Sequence, residues 1–270
     1  MACYHLNKSI VSRGKGETIT IIAAYNSREK LRDYFTGKIY DCSNRRDLLY
    51  EEILLPAEAP HELLNRQTLL DVLNVAEKRK DAQMARVIKI ALPNELSLEE
   101  SIALTKEFVF DNFVKFGLCA DIAIHVGKYD KSRKPANIEA VNERKDNPHA
   151  HIIITTRPVD CNGFCKTKDQ FRYMNSRAFL RELRKNWADL QNREFERRGL
   201  EVRVSHESYA ARGIELEPTK HLGPAVMYLE QKGIRTERGD EYRAIIERNR
   251  IREIVRKKPR ERDRKLERSR

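Results

Sequence analysis

No run of 18 apolar residues occurs in this chain, which excludes a membrane-spanning helix of ordinary length. Cysteine is sparse: five residues, at positions 3, 42, 119, 161 and 165, an odd number with no signal peptide ahead of them. That usage excludes a disulfide framework and sets the expectation of a reducing cytoplasm. Cys161 and Cys165 are close, but no second Cys/His pair stands at zinc-ribbon spacing. Asn162-Gly163 between them reads as a hairpin turn instead. There is no internal repeat. Acid is also short, with 41 Asp and Glu against 53 Lys and Arg, for a net charge of +12. The excess points to a polyanionic partner, nucleic acid before membrane.

The charge is uneven. Residues 248–270 hold 12 Lys and Arg against 4 Asp and Glu, so eight of the twelve net positive charges lie there. Residues 1–240 are expected to form the main domain and 241–270 a basic helical or disordered tail. Binding through such a tail falls with salt.

What the chain does have is Asn147-Pro148-His149-Ala150-His151 opening the run Ile152-Ile153-Ile154-Thr155-Thr156. On a strand the side-chain period is two, so His149 and His151 share a face. Ala120-Asp121-Ile122-Ala123-Ile124-His125 is a second alternating segment, placing Asp121, Ala123 and His125 on one face. Pairing the two strands brings three imidazoles together, with open positions for water or substrate oxygens. Asp121 could then accept the second ring N–H of a ligating histidine. Three imidazoles with oxygen ligands suit Mn²⁺, Mg²⁺ and other divalent ions. The remaining histidines, at 5, 61, 206 and 221, have no ligand spacing.

The rest of the pattern alternates strands and helices irregularly. Tyr4 to Val11 is expected as a strand, Ser12 to Gly16 as a basic loop, and Thr18 to Arg32 as a helix. A hairpin turns at Thr36-Gly37; strands follow over Tyr50 to Leu55 and Arg86 to Leu92. Pro60 to Lys80 reads as helix, and Ser97 with Glu100 forms a capping box for a helix to about Gly117. A basic segment, Lys128 to Asp146, separates the two histidine strands. Ser176 caps a helix carrying Trp187 and ending at Gly199. Val202 to Val204 reads as a short strand, Gly223 to Lys232 as a helix, and the chain beyond Asp240 as charged helix. The expected class is α+β with a mostly antiparallel sheet flanked by helices.

A centre that binds phosphate oxygens suggests phosphoryl transfer, and Tyr25 is the candidate nucleophile. It follows a Gly-rich loop, its neighbours Ala23 and Ala24 are small, and Arg28, Lys30 and Arg32 follow it. Arg13, Lys15, Arg28 and Lys30 are the candidate DNA contacts. Tyr34, Phe35, Tyr129, Phe164 and Tyr173 lie in loops where bases could stack.

The chain resembles the MobA/MobL family of plasmid mobilisation relaxases, the MobQ class of the HUH endonucleases. The resemblance rests on Tyr4-His5-Leu6, Ser12-Arg13-Gly14, Ala23-Ala24-Tyr25-Asn26-Ser27-Arg28-Glu29-Lys30-Leu31 and Thr36-Gly37-Lys38. It continues at Glu52-Ile53-Leu54-Leu55-Pro56, Ala91-Leu92-Pro93-Asn94-Glu95-Leu96, the two histidine strands, Trp187, His206-Glu207-Ser208-Tyr209 and His221-Leu222-Gly223. It implies an HUH-type fold and a strand transferase that nicks one DNA strand at an origin of transfer. It also implies that Tyr25 joins the 5′-phosphate, freeing a 3′-hydroxyl, and that His125, His149 and His151 hold the metal. The implied partners are origin DNA, single-stranded and hairpin, with accessory mobilisation proteins and a type IV secretion coupling protein. Two departures stand out: no acidic residue lies near Val87 or Lys89, and the segment between His125 and His149 is long and basic. A rolling-circle initiator, a transposase or a non-catalytic DNA-binding accessory protein are the alternatives. The first two usually carry the tyrosine after the histidines, whereas Tyr25 precedes them.

Overall fold

The computed structural model describes residues 4–126, 147–220 and 222–267. They fall into two compact units, up to His206 and from Glu207 onward. The basic segment 128–146, with Tyr129, and the expectation for His221 lie outside the described residues.

The first unit is built on a five-stranded antiparallel sheet in the order β1-β5-β7-β6-β4. These strands are β1 (Leu6–Ser12), β4 (Leu48–Leu54), β5 (Gln83–Ala91), β6 (Ala120–His125) and β7 (His149–Thr155). β6 and β7, each continuously apolar on one face, are central, as strands buried on both sides must be. Alternation sorts their side chains. Ile122, Ile124, Ala150, Ile152 and Ile154 join Phe108 of α3 (Leu98–Asn112) and Trp187 of α4 (Arg177–Arg197) in one core. Phe108 and Trp187 meet edge to face at 5.3 Å. Ile153 faces the other way, packing with Ala23 and Ala24 of α1 (Ile19–Ser27) and Leu70 and Leu73 of α2 (Arg66–Ala76). The histidines share the parity of Ile153, so they face α1.

Ser97 and Glu100 form the expected capping box at the start of α3. A hairpin is also present between β8 (Val159–Asp160) and β9 (Gly163–Phe164). Its two turn residues are Cys161-Asn162, one earlier than expected, because Gly163 pairs with Asp160 as the first residue of β9.

Three local expectations are corrected. α1 stops at Ser27 rather than Arg32, because Arg28 adopts a left-handed conformation and Lys30–Arg32 becomes β2, paired with β3 (Ile39–Asp41). The segment Pro60 to Lys80 is not one helix. A 3₁₀ turn, His61–Leu64, ends where Asn65 goes extended and caps α2 by accepting from the Thr68 N–H. Val202 to Val204 forms no strand. Asn192 of α4 satisfies both backbone groups of Val204, so no neighbouring strand is needed.

The second unit contains α5 (Pro224–Gln231) and the long charged helix α6 (Glu237–Glu267). Among the described residues no helix is long and apolar enough to cross a membrane.

Candidate active site

The register of β6 against β7 sets His125 directly opposite His149 and Ala123 opposite His151. The ring centroids lie 5.6 Å (His125–His149), 4.9 Å (His125–His151) and 4.9 Å (His149–His151) apart. One nitrogen from each ring falls within 4.8 Å of the other two, close enough to share one ion. Tyr25, on the last turn of α1, sets its ring nearly perpendicular to His125 at 6.2 Å and to His151 at 6.1 Å between centroids. It is 39% exposed, so part of the residue stands open to solvent.

Hydrogen bonds set the ring states. His125 Nε2 lies 2.7 Å from the Asn26 carbonyl, which can only accept, so Nε2 carries the proton. Its Nδ1 lies 3.3 Å from an Arg28 nitrogen, which can only donate, so Nδ1 keeps its lone pair. His149 Nδ1 donates to the Asn147 carbonyl at 3.0 Å, leaving Nε2 unprotonated. His151 Nε2 is buried with no partner among the described residues. A buried orphan beside the unprotonated His149 Nε2 and His125 Nδ1, the latter facing Arg28 here, matches the donor set a divalent cation needs, and these residues fit one.

Burial drives the same conclusion electrostatically. Loss of water lowers the His125 pKa to about 4 and the His151 pKa to about 3. His149 is lowered for the same reason. All three are neutral at pH 7, the form that binds metal. The consequence for folding has a definite sign. In the unfolded chain a histidine protonates near 6.5, whereas folded His125 resists until about 4. Its stabilisation is complete above 6.5 and disappears as pH falls towards 4. Metal-free protein should lose about 2 kcal/mol between pH 7 and 4.5 through His125 alone. Urea unfolding at the two pH values measures this, and His125→Gln should reduce the difference.

The sequence-level expectations for the surrounding side chains fare unevenly. Asp121 does share the histidine face, but it bonds to no ring. Arg66 takes both its oxygens, at 2.8 and 3.0 Å, and also reaches Glu29 (2.6 Å) and Glu51 (2.8 Å). A buried carboxylate binds the guanidinium that neutralises it before a neutral imidazole, so the proposed support of a histidine by Asp121 is corrected. Backbone carbonyls of Asn26 and Asn147 do that work. The carboxylate close to the centre is Asp47, just before β4, which grips Arg28 in a fork at 2.8 and 2.7 Å. Burial raises the Asp47 pKa, but the bonds and charge of Arg28 outweigh it and hold the group below its ordinary range. No spacing signal links Asp47 to Tyr25, and sequence reasoning missed it.

Of the four proposed DNA contacts, Lys15 and Lys30 are exposed. Arg28 is 6% exposed, and its guanidinium is committed to Asp47, the Tyr25 carbonyl and His125. Arg13 likewise turns inward, donating to the carbonyls of Glu77 and Arg79 and stacking on Phe35 at 4.5 Å. Neither is free to meet a phosphate. Sequence reasoning also missed Arg45, which is exposed and lies 4.8 Å over the Tyr25 ring. Lys89, exposed, stands opposite His151 on β5, so no acid occupies that register position.

A model of the MobA/MobL family matches residues 18–232. The chain belongs to the MobA/MobL family. A solved structure described as "Molecular Basis of Vancomycin Resistance Transfer in Staphylococcus aureus" is 34% identical, with a TM-score of 0.65 over 77% of this chain and all of that one. The conjugal transfer protein TraA of Rhizobium radiobacter is 31% identical over 88% of this chain and 23% of TraA. The mobilization protein MobL of Acidithiobacillus ferridurans is 31% identical over 86% of this chain and 65% of MobL. The chain thus corresponds to between about a quarter and two thirds of these MobA/MobL relatives. The match to the family spans both Tyr25 and the three histidines, so the whole centre lies inside the shared region.

Proposed function

We propose that this chain is the relaxase domain of a plasmid mobilisation protein, nicking one DNA strand at an origin of transfer. The observation that carries the reading is the exposed Tyr25 ring held 6.1–6.2 Å from two rings of a three-histidine centre. The phenolic oxygen of Tyr25 attacks the scissile phosphorus and the bond to the 3′-oxygen breaks. The phenol gives up its proton, the leaving 3′-oxygen takes one up, and the 5′-phosphate stays on Tyr25. Reversal by a 3′-hydroxyl rejoins the strand, since the phosphotyrosine retains the energy of the diester. His125, His149 and His151 would hold Mn²⁺ or Mg²⁺, which when bound supplies polarisation of a non-bridging phosphate oxygen. Tyr25 contributes position: its ring is fixed before substrate arrives.

The DNA partner is supported by charge as well as by family. A cavity of about 850 Å³ lies at the far ends of β5 and β7, roughly 20 Å along the strand from His149. Lys78, Arg86, Arg157, Lys166 and Lys168 line it. Arg86 is 1% exposed and donates only to neutral acceptors: Asn175 Oδ1, Thr155 O and Phe171 O. Burial lowers its pKa to about 10. Arg157 and Lys168 pair with buried Glu77 of the same wall, so the cations open to a phosphate are the exposed Lys78 and Lys166. We assign this wall to the backbone of the DNA flanking the nick. Replacing exposed Lys78 and Lys166 by Ala should reduce the slope of log affinity against log salt by about 1–2, without changing sequence preference. Accessory mobilisation proteins, a secretion coupling protein and a bacterial cytoplasmic site of action complete the reading.

The decisive assay mixes purified protein with origin DNA and Mn²⁺ or Mg²⁺. A nicked strand covalently attached to protein, lost on chelation, supports the reading; binding without cleavage would instead favour a non-catalytic accessory role.

A further inference from the structure

Arg28 is the only non-glycine among the described residues with a left-handed backbone, at φ 61 and ψ 31. A long side chain takes up that conformation only when its surroundings hold it there. Glycine would give the same turn without strain, so the strain is retained for what the side chain does. Its guanidinium is locked by the two oxygens of Asp47 and by the Tyr25 carbonyl. From that anchored plane it stacks 4.2 Å from the Tyr25 ring and sets a nitrogen 3.3 Å from His125 Nδ1. One rigid, donor-only group therefore touches both the nucleophile's ring and a ring of the histidine centre.

We propose that Arg28 is a positioning residue, fixing the Tyr25 ring against the histidine centre. The proposal rests on Tyr25 being the nucleophile. It replaces the expectation that Arg28 contacts the DNA backbone. A phosphate contact needs an exposed cation, and the exposed guanidinium beside Tyr25 is that of Arg45.

The variants are Arg28→Gly, which keeps the turn and removes the clamp, and Asp47→Asn, which leaves the clamp but loosens its anchor. Each is made in the full chain, with 3-fluorotyrosine placed at position 25. In the parent, the fluorine resonance should be displaced from that of free 3-fluorotyrosine. In both variants it should move towards the free position. Adduct formation should slow by ~10-fold or more while DNA affinity stays within about twofold. Sub-denaturing guanidinium should restore part of the rate to Arg28→Gly, and sodium at equal ionic strength should not. An unchanged fluorine spectrum in both variants would overturn the proposal. So would a fall in DNA affinity that accounts for the whole loss of rate, the signature of a phosphate contact. Should the parent itself form no adduct, the nicking reading fails on its own, and the fluorine spectra still decide whether Arg28 holds the ring.

Discussion

Tyr25→Phe is expected to lower covalent adduct formation on the order of 10³-fold or more, with DNA affinity within about twofold of the parent. The side-chain contacts that place this residue are all made by its ring. They are the T-shaped contacts with His125 and His151 and the guanidinium groups of Arg28 and Arg45, and phenylalanine keeps every one of them. Only the hydroxyl is lost. Because the ring is already fixed, the substitution separates chemistry from binding more cleanly than any histidine change would. Denaturing gels with labelled origin DNA report the adduct, and fluorescence anisotropy reports affinity. An adduct at parental yield would move the nucleophile elsewhere.

The second large effect concerns stability. Arg66→Met should destabilise the first unit by about 3–5 kcal/mol, because it strands the Asp121 carboxylate in the sheet. Asp121 is 5% exposed, and Glu29 and Glu51 converge on the same guanidinium, so removing Arg66 leaves three acids facing one another. Burial already raises the Asp121 pKa even with Arg66 present. Without Arg66 the folded pKa rises further above the unfolded one. That makes the variant's deficit largest at neutral pH and smaller as the pH falls through the carboxylate range. Arg66→Met combined with Asp121→Leu should recover much of the loss, since an apolar pair of similar volume avoids the buried charge. Urea melts at pH 7 and pH 5 test the sign. A deficit that grows on acidification would contradict this account of the cluster.

The two expectations about Asp121 show what a sequence does and does not reveal. Its face was legible, because strand parity is a local property: Asp121, Ala123 and His125 alternate with Ile122 and Ile124 whatever the strand pairs with. The convergence of His125 with His149 and His151 followed from the same parity once the two strands were taken as neighbours. What Asp121 bonds to was not legible. Its partner Arg66 is 55 residues away on a helix whose position over the sheet no periodicity encodes. Arg28 failed in the same way. Read as a basic residue after a tyrosine, it suggested a phosphate contact; its tie to Asp47 depends on a left-handed turn that local propensity argues against. Helix ends were misjudged where a single residue departs from helical geometry, Arg28 at one and Asn65 at another, and hydrophobic spacing carries on past both.

The account stands or falls on where the DNA becomes attached. Protein reacted with origin DNA and Mn²⁺ or Mg²⁺, then digested with protease and nuclease, can be examined by mass spectrometry for a tyrosine bearing a nucleotide. The proposed reading predicts that the peptide containing Tyr25 carries the nucleotide through a 5′-phosphate and that the other tyrosines remain unmodified. A nucleotide on any other residue, or a cut strand with no protein attached, would contradict it.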